Sequence, residues 1–211
     1  DPFAPPSKMR LIIQRDVAKI PSDLLDEKDK RIAVSDFLTR AFGHQATAFN
    51  RTVKGSGKNG KIFIDHCGQE MLERTSVVIN DKEIEVRIEV GMPAAGRKIL
   101  GKAAAHTLIN GLPKIVDQAI MYQNIDQQAL QHQVTLKLDQ TYIRNQLEQQ
   151  HLVAFVANNA ILPRKSGVSD EPMKGAIQFT SPQAFETTFN LPSGRAVTGM
   201  SIPCLLYTSD A

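Results

Sequence analysis

The stretch Glu83-Ile84-Glu85-Val86-Arg87-Ile88-Glu89-Val90 alternates charged and apolar side chains without a break over eight residues. Successive side chains on a strand point to opposite faces, so this pattern predicts a β-strand with one dry face and one wet face. Thr75-Ser76-Val77-Val78-Ile79 supplies a second arm, and Asn80-Asp81 between them has turn chemistry. Residues 73–90 therefore read as a hairpin, with Glu83, Glu85, Arg87 and Glu89 on the solvated face.

Upstream, Ile32, Val34, Phe37, Leu38, Ala41, Phe42 and Phe49 recur at helical spacing and predict an amphipathic helix over residues 30–53. Arg31, Arg40, Arg51 and Lys54 fall on its polar side or just past its end. Met9-Arg10-Leu11-Ile12-Ile13 reads as a short strand, preceded by a proline-rich extended segment. Ser22, after Pro21, is a candidate N-cap. Lys61–Asp65 is a further strand candidate.

Downstream, residues 91–96 break the sheet and three helices are expected, over residues 97–110, 113–123 and 126–149. Gly111 is placed to end the first, Pro113 to start or kink the second, and Asp126 to cap the third. The third is rich in glutamine, which suits a surface helix. Strand candidates return at residues 152–157, 176–180, 185–191 and 196–200, with residues 161–175 as a loop. The fold class is α+β, with a mixed helix and antiparallel-sheet domain over residues 1–150.

The 211 residues are 42% hydrophobic and 22% charged, enough apolar material for a core. The absence of tryptophan makes that core aliphatic. A net charge of +3 and a pI of about 8.9 are mildly basic, without the dense Lys and Arg stripe of an obligate nucleic-acid binder. Cys67 and Cys204 are far apart and lack metal-ligand spacing, which excludes a disulfide framework and fits a reducing, cytoplasmic compartment. No apolar run reaches the roughly 20 residues that span a bilayer. The five histidines pair with no Cys, His or carboxylate cluster, so no metal site is expected.

Lys54-Gly55-Ser56-Gly57-Lys58-Asn59-Gly60-Lys61 invites a phosphate-loop reading and fails it. The pattern needs Ser or Thr directly after Lys61, where Ile62 stands. What remains is a flexible basic loop, or a secondary phosphate or nucleic-acid contact through Lys54, Lys58, Lys61 and the backbone N–H groups around Gly55 and Gly57. Asp65-His66-Cys67 places a base beside a thiol, but neighbours on a strand face opposite ways, so His66 does not activate Cys67 there.

Long, low-degeneracy motifs run through the chain. They are Gly91-Met92-Pro93-Ala94-Ala95-Gly96-Arg97-Lys98-Ile99-Leu100-Gly101, Leu152–Ala157, Ala160–Val168 and Val197-Thr198-Gly199-Met200-Ser201-Ile202-Pro203. Residues 1–7, 55–60 and 68–75 add to them. Through these motifs residues 1–203 resemble the predicted ATPases of the ABC class, which are P-loop ATPases with an extra amino-terminal domain. The resemblance implies ATP binding with Mg²⁺, hydrolysis in the intact protein, and a homodimer that sandwiches the nucleotide. It makes residues 151–203 the first antiparallel strands of an ATPase core, ahead of the phosphate loop. Cys204-Leu205-Leu206-Tyr207-Thr208-Ser209 departs from that pattern, and residues 204–211 read as a translated sequencing adapter. This stretch therefore carries no catalytic residue of its own. It also implies nucleotide contacts from Arg164, Lys165 and Ser166, where cations and a hydroxyl meet phosphate, and base stacking from an aromatic such as Phe185 or Phe189. Each also has a plain reading: Arg164, Lys165 and Ser166 as a solvated turn, the phenylalanines as core. Two other functions stay open: a nucleic-acid-binding module governed by ATP and built on Arg51, Lys54, Lys58, Lys61, Arg97, Lys98 and Lys102, with RNA or DNA as partner, and a purely structural accessory domain.

Overall fold

The structure is a computed structural model and describes residues 4–204. The expected adapter tail, beyond Cys204, lies outside the described residues. Backbone contacts divide the chain into two units, one up to Val134 and one from Thr135. The sequence pattern places a boundary at residue 150, after the glutamine-rich helix.

The first unit is built on the alternating stretch. Strand β1 (Ser7–Gln14) pairs antiparallel with β4 (Glu83–Val90) along the full eight residues, from Ser7 opposite Val90 to Gln14 opposite Glu83. On the other side of β4 lie β2 (Ile62–Phe63) and β3 (Val77–Ile79), both antiparallel to it. The dry face presents Ile84, Val86, Ile88 and Val90, each almost wholly buried. Helix α2 (Lys28–Asn50) packs on β2, β3 and the later helices, and buries Val34, Leu38, Phe42 and Ala46. These positions are four apart and form one stripe. The wet face keeps its charges in order: the Glu85 carboxylate sits 2.8 Å from Arg87 and 3.6 Å from Arg10. Arg87 beside it holds the Glu85 carboxyl below its ordinary range.

Local details differ from the sequence reading. Between β1 and α2 the chain makes the short helix α1 (Arg15–Ala18). Ser22 caps no helix; it opens a 3-10 turn (Ser22–Leu24) whose first carbonyl accepts from Leu25 N–H. The helix expected from residue 97 starts later. Ala94–Ala95 (β5) and Lys98–Ile99 (β6) form a small ribbon around Gly96 first. Then α3 (Gly101–Ala105), a π-turn (His106–Gly111) and α4 (Leu112–Ile120) run on as one helix. Gly111 does not stop it. A Cβ there would lie 2.4 Å from the Phe49 ring, so the glycine serves the close approach of α2. Pro113, which has no N–H to donate, is absorbed by the wider turn just before it. Asp126 does cap the last helix, α5 (Gln127–Gln149): its carboxylate accepts from Ala129 N–H at 2.9 Å. The glutamine-rich α5 is not simply a surface helix, since Leu130 and Val134 are buried.

The second unit holds a three-stranded antiparallel sheet in the order β10 (Glu186–Asn190), β11 (Ala196–Pro203), β7 (Leu152–Ala157). The loop expected over 161–175 contains an exposed ribbon, β8 (Arg164–Ser166) with β9 (Ser169–Pro172). Residues 176–180 form no strand. Phe179 exchanges two backbone bonds with Asn159 and Ala160, and Asn159, at φ 67°, then turns the chain away. Among the described residues no helix is long and apolar enough to cross a membrane. Mixed helices and antiparallel sheets make the fold α+β, as the sequence predicts.

Candidate functional site

The nucleotide candidates lie in the second unit and separate into two kinds. Phe189, on β10, is 3% exposed and meets Phe155 of β7 edge to face, with ring centres 5.0 Å apart. Gly199 of β11 leaves room for that pair, since a Cβ there would sit 2.8 Å from the tip of the Phe155 ring. Phe189 is thus a core side chain. Phe185 is not on the strand at all. It ends a 3-10 turn (Gln183–Phe185) and is 52% exposed. The two therefore share no strand face, although they are four residues apart. The turn that carries Phe185 is tied down: Glu186 accepts from the Asn158 amide at 3.2 Å, and Asn158 in turn accepts from Ser181 N–H at 2.7 Å.

Arg164, Lys165 and Ser166 all lie on β8 and are exposed. Lys165 Nζ is 2.7 Å from Glu171, and Arg164 is 3.9 Å from Asp170 across the ribbon. The Glu171 carboxylate pushes the Lys165 ammonium above its ordinary pKa. Exposed pairs of this kind contribute little and are readily given up to a stronger anion.

The glycine-rich basic loop belongs to the first unit and is pinned rather than flexible. The Asn59 side chain is 8% exposed and holds the Ala94 backbone at both ends, donating to its carbonyl at 2.9 Å and accepting from its N–H at 3.0 Å. Gly60 N–H donates to Gly91 at 2.7 Å, and Gly91 N–H donates back to Lys61 at 2.9 Å. A Cβ on Gly91 would fall 1.7 Å from the Lys58 carbonyl oxygen, so only glycine admits the loop. The N–H groups of Asn59, Gly60 and Lys61 are taken by the Ser56, Gly91 and Lys58 carbonyls. Any anion contact there falls to the Lys54, Lys58 and Lys61 side chains and the backbone near Gly55 and Gly57. Through Asn59 and Gly91 the loop sits against the β5–β6 ribbon, which carries Arg97 and Lys98, with Lys102 following on α3. No acidic residue occurs in residues 51–61 or 91–116.

A buried ionic hub escaped the sequence reading. Asp36, mid-helix in α2 and 0% exposed, accepts from Arg40 at 2.7 Å, from Arg74 at 2.8 Å and from the Gln133 amide at 3.1 Å. Arg74 also reaches Asp65 at 3.2 Å. Burial works against the Arg74 charge, but the Asp36 hydrogen bond and the carboxylates around it outweigh that and raise its pKa. The Asp36–Arg40 spacing of four was the visible signal. Beside this hub, burial pushes the Cys67 thiol up, with Arg74 opposing. The thiol is a poor nucleophile there. Among the described residues no cluster of His, Cys, Asp and Glu could hold a metal ion, and both cysteines are free thiols.

Residues 1–123 match the family described as "ATPase of the ABC class N-terminal". Residues 126–208 match the family's P-loop domain. No curated protein matches the chain.

Proposed function

Because the chain belongs to the ATPases of the ABC class, we propose that it serves ATP binding and hydrolysis, and that residues 4–204 contribute an accessory domain and the base-side strands. The observation that carries this reading is Phe185. An exposed aromatic ring on a turn fixed by the Glu186–Asn158–Ser181 bonds is the platform that base stacking requires. Arg164, Lys165 and Ser166 on the ribbon are the candidate phosphate-side contacts, with Lys165 exchanging Glu171 for phosphate. Among the described residues, the glycine-rich segment 55–61 does not offer a triphosphate nest, since its Asn59, Gly60 and Lys61 N–H groups donate to the protein's own carbonyls. Magnesium enters such sites with the phosphates, and no ligand for it is assigned among the described residues. A homodimer and a cytoplasmic location complete the proposal; the two free thiols support the latter.

Titration of the chain with ATP tests this. Weak binding is expected, and Phe185→Ala should weaken it about tenfold, the worth of one base–aromatic stack. Equal binding by the wild type and Phe185→Ala would remove the assignment, and absence of any binding would favour a structural role.

One observation supports a second reading. The pinned loop brings Lys54 and Lys58 toward the ribbon and helix that carry Arg97, Lys98 and Lys102, and residues 51–61 and 91–116 contain no Asp or Glu. A surface of this kind suits a nucleic-acid backbone. Binding of a single-stranded oligonucleotide should fall steeply between 50 and 200 mM salt, on the order of tenfold or more. No binding at low salt would end that reading.

A further inference from the structure

Two cavities in the first unit meet at His106. One of about 380 Å³ lies between the end of α2 and the π-turn, and includes Phe49, Asn110 and Lys114 in its wall. The other, of about 270 Å³, lies under the glycine loop and includes Lys54 and Thr107. Thr52 and His106 line both. Small-molecule sites commonly span roughly 300–1,000 Å³, so the larger cavity is of ligand size by itself.

The walls have a consistent chemistry. Neither cavity is lined by an Asp or Glu, while Lys54, Lys114 and His106 supply positive or donating groups. Three other cavities of the first unit each include a carboxylate: Asp65 and Glu89 in one, Asp65 in another and Glu73 in a third. Amide side chains of Gln45, Asn110 and Gln118 add neutral donors. The Phe49 ring, half-buried, stands 6.3 Å from the His106 ring at 30° between planes and offers an aromatic face.

The backbone at this place is also unusual. The π-turn His106–Gly111 interrupts an otherwise α-helical run. Such turns are rare and frequent at functional sites. It is held from both sides. Thr107 Oγ1 donates to the Gly60 carbonyl at 3.2 Å, and Gly111 lets Phe49 press against the helix. His106, Asn110 and Lys114 thereby face one groove.

We infer that this groove is a binding site for a planar ring bearing an anionic group, of the size of a nucleoside monophosphate, with the ring against Phe49 and His106 and the phosphate at Lys114. This is independent of the ATP reading, which rests on the second unit. The same chemistry comes from a free mononucleotide or from one nucleotide of a single strand.

Amide NMR of the full chain, titrated with AMP, with inorganic phosphate and with a short single-stranded oligonucleotide, tests it. AMP should shift the resonances of residues 106–114, and phosphate alone should do so more weakly. Lys114→Glu, at an exposed position, should weaken AMP binding about tenfold or more, since a charge-assisted bond becomes a repulsion. Phe185→Ala should leave these shifts unchanged, which separates this site from the proposed ATP contact. A response to the oligonucleotide at lower concentration than to AMP would identify the strand as the source. Unmoved resonances at 106–114 with all three ligands, or equal AMP affinity in Lys114→Glu with an unchanged spectrum, would overturn the inference.

Discussion

Asp36 has no exposed surface and is the charge that makes Arg74, only 9% exposed along its side chain, tolerable inside the protein. Asp36→Asn keeps the shape and much of the hydrogen bonding but removes the compensation. Breaking one partner of a buried pair costs about 3–5 kcal/mol. The denaturant midpoint of the first unit should fall accordingly, while a hydrophobic pair replacing both residues would restore much of it. Cys67 carries a second residue-scale prediction. Burial raises the folded thiol above its unfolded value, so the folded state holds the proton longer than the unfolded chain does. Its contribution is therefore complete below the unfolded thiol pKa, about 8.5, and is lost as pH rises through the higher folded value. Melting temperature should decline above that point in the wild type and decline less in Cys67→Ala. Thiol reagents at neutral pH should react slowly with Cys67.

At the scale of elements, the β10–β11 hairpin is held at its turn by α5. Asp139, 3% exposed, accepts from Ser193 N–H at 3.2 Å and from Ser193 Oγ at 2.8 Å. Asp139→Ala removes two hydrogen bonds to a carboxylate and should cost about 1.5–3 kcal/mol. Hydrogen exchange should report it first, as lost protection across residues 186–200, with β1 and β4 unaffected. The elements that sequence pattern reached are those whose partner is implied by period alone. β4 needs only alternation, α2 only its apolar stripe, and the α5 cap only an Asp ahead of a helical run. The elements it missed depend on contacts between distant residues. The π-turn exists because Gly111 meets Phe49 and Thr107 meets Gly60, neither of which is written in residues 97–123. The segment expected as a strand at 176–180 has strand-like residues, but Phe179 alone reaches across to Asn159 and Ala160 while Ala176 N–H turns back to Met173, so no ladder forms. Phe185 and Phe189 look alike in sequence; the turn that precedes β10 exposes one and the sheet buries the other.

For the whole molecule, the division into two units at Val134 lies close to the junction between the two family matches, at residues 123–126. Resemblance in sequence reached the family; it could not distinguish a flexible glycine loop from one locked by Asn59 and Gly91, because that lock is made across more than thirty residues. The most direct measurement of the central claim, that the second unit receives the base, is photolabelling of the chain with a base-azido ATP followed by peptide mapping. The predicted result is label within residues 181–190, competed by ATP and lost in Phe185→Ala. Label elsewhere, or label at that segment that ATP does not compete, would contradict it.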